Sequence, residues 1–586
     1  MKKKGLLIAG LLIASTSLSS VAQNYTDGVF VLNEDWYGHN NSTLNFWNYN
    51  GGYVDYYVMQ IANLYEYSLG CTAQYGQLYG DYIVIMSKQD KDPGDAGQMS
   101  SGRMTILNKR TLKVVGDEVH PLISVNDKGK SDADGRAVCF VNNEKFYAGT
   151  SNGIYVVKNV DGAWIWDSEM VIKGTENPLI TGQEVSNADG IGPLYNNQIG
   201  MMLRTQDYMF AIKQDLGVLV INPDTDEIIR VIEGCYSTMA QSKDGNVWVG
   251  VNAGEKQHYP YGNSGDAWNG SRLLCIDQYT LQTKTIELSG GGVPQSWYAW
   301  TAGSLTASST ENALYFVYTD PSVGQINWFR NCTLYRYDID ADECEEIYNS
   351  EYDGLYFYGG ALQCNPKDGN IYAALYVGEN IATQDWVYAI INKEGEMIQY
   401  QQPIQNYWYP AMFIFPDNDA PVVSEFSDVV IDKEPVTITL DDKVTDPDSP
   451  NAAIVKSVSN IDNTNIVKAE IIKGNLLLTP LRKGDTKVDV EFNSNGKIVT
   501  KSVKVSVTSD ISALPVLDAK SDINVFSVAG NIMITGIDTP QQVDVYNTQG
   551  LLVKTAVVEN AGTISGLASR NLYIVKISNK SFKITL

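Results

Sequence analysis

Aromatic side chains gathered in long connections are the groups of this 586-residue chain best suited to ligand chemistry. Trp36, Tyr37 and His39, then Tyr259 and Trp268, Trp297, Tyr298 and Trp300, Trp328 and Phe329, and Tyr407 and Trp408 all lie between strand-like runs. Rings with polar tips, carried by several loops to one end of a scaffold, form a platform that grips a large planar or sugar-like ligand by stacking and hydrogen bonding. A single ring in a loop more often packs that loop onto the body beneath it. Packing alone does not explain why tryptophan gathers in one class of loop. Bond-making chemistry has less support, and no catalytic residue is assigned. His39, His120 and His258 are too scattered for an HExxH metal site, and no GxSxG elbow occurs. A pair of acidic residues acting as in glycosidases would leave no linear trace.

Metal-ligating patterns are sparse. DDKVTDPDSP concentrates carboxylates, and Asp441, Asp446 and Asp448 form the set expected to hold Ca²⁺, a hard cation that takes oxygen ligands. No other cofactor is expected. Asp338, Asp340 and Asp342 open like an EF-hand loop, but Glu343 stands where that loop needs glycine and Asn349 where it needs glutamate, so a turn is expected. Asp90, Asp92 and Asp95 read as a solvated loop.

The elements that must position these loops are β-strands. A short β-branched and aromatic run recurs seven times between Val29 and Phe415: VFVLNED, YIVIMSK, KFYAGTS, YMFAIKQ, VWVGVNA, LYFVYTD and IYAALYV. An outer hairpin follows each, as in VINPDTDEIIRVI or CIDQYTLQTKTI. Hairpins repeated every 40 to 65 residues or so predict a seven-bladed β-propeller, because one small sheet cannot bury both of its faces alone. Six candidate first strands precede these runs, and the seventh is missing. WYPAMFIF from Trp408 is expected to supply it, closing the ring by pairing the end of the propeller with its beginning. Turns within the inner hairpins are tiny (205–207, 244–246, 368–370), whereas the other connections are long (35–42, 88–102, 120–134, 174–197, 253–270, 289–301). The long ones emerge together, and that loop-rich end is the expected site.

Composition and charge bound the rest. Thirty-six Tyr and 50 Gly suit twisted strands and turns. The formal charge of −25 repels phosphate backbones, so nucleic acid is not an expected partner. Residues 1–22, with three lysines, an apolar run and a small-residue end, read as a secretory signal peptide, and no later stretch is long and apolar enough for a membrane helix. Secretion across the inner membrane is expected, to the cell surface, the medium or the periplasm. Seven cysteines without short paired spacing suggest core residues, chiefly Cys71, Cys139 and Cys364, with room for one or two bridges. The reading is all-β: a propeller over 23–416, an immunoglobulin-like or cadherin-like sandwich over 417–509, and a small C-terminal β-sandwich over 510–586.

GVFVLNEDWYGHN, CTAQYGQLYGD, SDADGRAV, YAGTSNGIYV, IGMMLRTQDYMFAI, SWYAW and NYWYPAMFIFP, spread over residues 27–416, resemble secreted seven-bladed propellers of gut Bacteroidetes related to the YVTN-repeat type. Relatives of that group include surface lipoproteins that capture cobalamin and pass it to a TonB-dependent outer-membrane transporter. The resemblance implies a corrinoid laid across the loop-rich face and such a transporter as partner. This chain departs from those relatives in having no cysteine before Cys71 to accept lipid. The competing expectation is a surface adhesin or glycan-binding protein. NDAPVVSEF and TDPDSPNAAIVKSV are similar to cadherin-like repeats of large secreted bacterial proteins. VDVYNTQGLLVKT and GLASRNLYIVKIS resemble the C-terminal sorting domain of type IX secretion, with Asn571-Leu572 before Tyr573 where that family usually has glycine.

Overall fold

The computed structural model describes residues 25–35, 37–49, 52–116, 134–166, 170–177, 198–214, 216–234, 236–251, 269–270, 272–288, 293–294, 304–318, 332–377, 385–401, 409–509, 523–528, 530–568, 571–578 and 580–586. Uninterrupted apolar runs become inner strands that are buried on both faces, since each blade packs between two others. Gly28–Asn33 is buried at every position, and Ile371–Val377 at all but its last. Outer strands alternate toward solvent, as Met397–Gln401 does. Seven blades result. Six have four strands, and the blade built on Cys71–Tyr79, Tyr82–Gln89 and Met104–Asn108 has three, with an isolated bridge between Leu107 and Val114 beside them.

Ring closure follows the expected route. Pro410–Ile414 pairs antiparallel with Gly28–Asn33, placing Phe413 opposite Val31 and Ile414 opposite Phe30. The first blade therefore takes its innermost strand from the far end of the propeller.

Beyond Asp417 come two smaller bodies. In the first, Val429–Ile431, Lys497–Val507, Gly484–Ser494 and Val455–Ile461 make one sheet, while Val436–Ile438, Asn475–Pro480 and Val467–Ile472 make a second. Val467, Leu476, Leu478, Val488, Val490, Phe492 and Val503 form the core between them. The last body is a five-stranded sheet around the long strand Asn531–Tyr546, whose register shifts near Ile537. Such irregularities bend a strand. Here Ile532 and Ile534 share a core with Val543, Val545 and Val575.

The middle body sits on the tight-turn end of the propeller. Gln206 donates to the Lys456 carbonyl and accepts from the Lys456 N–H, both at 2.8 Å, which satisfies a buried amide completely. Gly80 N–H donates to Asn495 O at 2.7 Å, and Asn143 Nδ2 to Gly496 O at 2.8 Å. A Cβ on Gly496 would meet Gly80 N at 2.4 Å, and its φ of +89° is left-handed, so this contact needs glycine. The loop-rich end of the propeller faces the other way.

Candidate functional site

Of the expected ligand-binding aromatics, Tyr37 and His39 lie among the described residues. Trp36, Tyr259, Trp268, Trp297, Tyr298, Trp300, Trp328, Phe329, Tyr407 and Trp408 lie outside them. Tyr37 is 54% exposed and His39 is exposed. Their loop is pinned from below by Asp92, which the sequence had suggested to be solvated and which is 2% exposed. Asp92 Oδ2 accepts from Gly38 N–H at 2.8 Å, Oδ1 from Gly94 N–H at 2.7 Å, and its own N–H donates to Asn41 Oδ1 at 2.7 Å. A carboxylate that satisfies backbone donors of two loops at once makes a rigid support for what the loops display.

Aromatics of the seventh blade belong to the core. Tyr358 and Trp386 are 2% and 0% exposed, with ring centroids 5.0 Å apart in an edge-on pair. Both rings hold the seventh blade together.

Beneath the loop-rich end runs a buried network of charges. Glu34, at the end of the first inner strand, accepts from Tyr358 Oη at 3.1 Å and has Gln74 beside it. Lys88 ends the next inner strand and faces Glu34, Asp134 and Arg136. Arg103 donates to Asp90 at 2.6 Å and to the Lys88 carbonyl at 3.1 Å, and Arg136 pairs with Asp134 at 3.4 Å. Blades one, two, three and seven thus contribute to one cluster. Burial pushes the Glu34 carboxyl upward, while burial and the neighbouring Arg136 pull the Lys88 ammonium down to about 7. Strongly displaced groups in a protein interior mark either a functional site or a structural ion network. Asp134 Oδ1, and both ends of the Gln198 amide on the fourth blade, are buried and have no hydrogen-bond partner among the described residues. Orphaned polar atoms at the same end favour a site that takes up further polar groups.

Sequence reading missed Glu34, Lys88, Asp134 and Arg136. One sign was available: a charge directly follows the apolar runs VFVLN and YIVIMS, where an inner strand has no exposed face to receive it.

The expected calcium set is not assembled. Asp441 is exposed and takes the Lys456 ammonium at 2.5 Å, whereas Asp446 and Asp448 lie together at the propeller-facing end. Among the described residues, no three acidic, histidine or cysteine side chains form a ready metal cage. The DxDxD stretch at Asp338 is a turn, with Asp338 Oδ1 accepting from Ala341 N–H. The six described cysteines are free, and Cys71, Cys139 and Cys364 are buried. No described helix is long and apolar enough to cross a membrane.

Among solved structures, the chain is similar to a quinonprotein alcohol dehydrogenase-like protein of Bacteroides thetaiotaomicron, at 14% identity over 67% of this chain and 79% of that one, with a TM-score of 0.43. It is also similar to the extracellular domain of a hybrid two-component system of the same organism, at 11% identity over 83% of this chain and 56% of that one, with a TM-score of 0.35. The WD40 propeller domain of Doa1 shares 10% identity over 60% of this chain and 87% of its own, with a TM-score of 0.31. No curated protein matches. The family described as domain of unknown function DUF5074 matches residues 27–416, the whole of the ring from its first inner strand to its closing strand, and the chain belongs to that family.

Proposed function

We propose that this chain is a secreted, non-enzymatic binding protein that captures a bulky ligand on the loop-rich end of its propeller. One observation carries the reading. The middle body occupies the tight-turn end, and the opposite end, to which the long connections run, has a buried charged floor. A broad corrinoid is the first candidate, since rings from several loops could stack on its face while polar tips meet its side chains. A TonB-dependent transporter would be the downstream partner. A glycan is the second candidate, favoured by the exposed Tyr37 and His39 on a pinned loop. Titrating the full chain with cyanocobalamin by calorimetry tests the first: one-to-one binding at about 1 μM or tighter is expected, weakened at least tenfold by Trp297→Ala with Trp300→Ala. No heat at tens of micromolar would remove the corrinoid and send the search to glycans.

Calcium belongs to the middle body in this proposal, on a revised ligand set that would have to draw together around the ion, since among the described residues no three carboxylates are gathered into a cage beforehand. Asp448 Oδ2 accepts from Asn418 N–H at 3.0 Å and Asp419 N–H at 3.2 Å, Asp446 Oδ1 accepts from Asp448 N–H at 3.0 Å, and Asp417 Oδ1 pairs with Lys497. The second oxygen of each carboxylate is buried, with Ser494 beside Asp446 and Asn495 beside Asp417. An all-oxygen donor set suits a hard cation. Adding Ca²⁺ to protein freed of metal by a chelator should raise Tm by several degrees at saturation. Asp448→Asn should abolish that shift; an unshifted wild type would overturn the calcium assignment.

A further inference from the structure

The seam between propeller and middle body holds a half-open cleft of about 430 Å³, lined by three cations, Lys109, Arg110 and Lys497, and one carboxylate, Asp81. We propose that this cleft binds a small-molecule anion bearing a carboxylate, phosphate or sulfate group. The concentration of positive charge is out of keeping with a chain of formal charge −25. Its local compensation is incomplete. Lys497 pairs with the Asp417 carboxylate, but Lys109, 7% exposed, donates at 2.8 Å to a neutral acceptor, the Asp417 main-chain carbonyl. Arg110 reaches Asp81 only at 3.9 Å and in solvent, where such a pair contributes little. Burial and then the neighbouring Lys497 pull the Lys109 ammonium down to about 8, against the opposing influence of Asp417 and Asp81, so a further anion in the cleft would favour the charged form of this lysine. Thr26 and Asn418 add an uncharged hydroxyl and amide to the wall. The volume falls within the roughly 300–1,000 Å³ of small-molecule sites. That is more room than one inorganic ion needs, so the anionic group is expected to belong to a larger molecule. Both modules supply donors, and ligand bound here would tighten the seam. This inference rests on neither the loop-end ligand nor the calcium ion.

The test is calorimetric titration of the full chain with inorganic phosphate, sulfate and glucuronate, at constant ionic strength so that screening does not change along the titration. At least one probe should saturate one-to-one with Kd of about 1 mM or tighter. Tightest binding of glucuronate would point to a sugar acid, and of phosphate or sulfate to an ester. Lys109→Met and Arg110→Gln should each weaken binding at least tenfold. Arg110 is mostly exposed, so Arg110→Gln keeps the test valid if Lys109→Met disturbs the fold. Failure of all three probes to saturate at tens of millimolar, or an unchanged Kd in folded Arg110→Gln, overturns the proposal.

Discussion

Phe413→Ala is expected to lower the unfolding free energy by about 3–5 kcal/mol and to destabilise the whole ring at once. Phe413 is 1% exposed on the strand that closes the first blade. Its ring centroid lies 5.8 Å from that of Tyr372 and 5.9 Å from that of Tyr388, both on the seventh blade, and Trp47 of the first blade completes the cluster. The Phe413 N–H donates to Gln363 Oε1 at 2.8 Å, a second link to the seventh blade. A cavity here removes contacts on both sides of the only joint that covalent continuity does not protect. Each other blade is joined to its neighbour by chain, so a similar cavity elsewhere leaves the ring shut. Calorimetry should show one propeller transition at lower Tm; a loss below about 1 kcal/mol, or an unchanged Tm, would mean the closure contributes little.

How much was legible follows from which faces are buried. Inner strands bury both faces, so seven uninterrupted runs stand out, and six first strands for seven blades point to 410–414 as the seventh. Side-chain partnerships across blades were not legible. Tyr358 reaches Glu34 across 324 residues, and no local pattern announces that contact. The density of DDKVTDPDSP was visible, but not that Lys456 draws Asp441 away while Asp417, from the propeller's tail, joins Asp446 and Asp448. Composition separated loop aromatics from core aromatics only in part. Tyr37 is displayed, whereas Tyr358 and Trp386 lie in the seventh blade's core.

Arg136→Met should cost about 3 kcal/mol, because it removes the ion-paired partner of buried Asp134 and leaves Arg103 and Lys88 as its remaining cationic neighbours. The two side chains are 3% and 1% exposed, so solvent cannot take over. Asp134→Asn added to Arg136→Met should recover part of the loss, since the buried charge is then gone. A pH profile separates this electrostatic role from simple packing. In the folded protein Lys88 is held near 7, below the ordinary lysine value of 10.5, partly by Arg136. Between those values the unfolded chain binds more protons than the folded one, so the Lys88 contribution makes stability rise with pH, by at most about 1.4 kcal/mol per unit. Glu34, displaced upward, acts with the opposite sign on the acid side: stability falls as pH rises from its ordinary value through its raised one. Removing Arg136 lifts a repulsion from Lys88 and returns its ammonium toward the ordinary range. The rise in stability between pH 7 and 9.5 should therefore be shallower in Arg136→Met than in the wild type. Lys109, lowered to about 8 at the far end of the propeller, contributes equally to both proteins and cancels in the comparison. Parallel profiles, with Arg136→Met merely lower throughout, would mean that the arginine acts on this cluster through packing alone. If the slope does fall, ligand binding at the loop-rich end should show the same dependence on Arg136, because any anionic or cationic group seated above Glu34 and Lys88 changes the same proton balance.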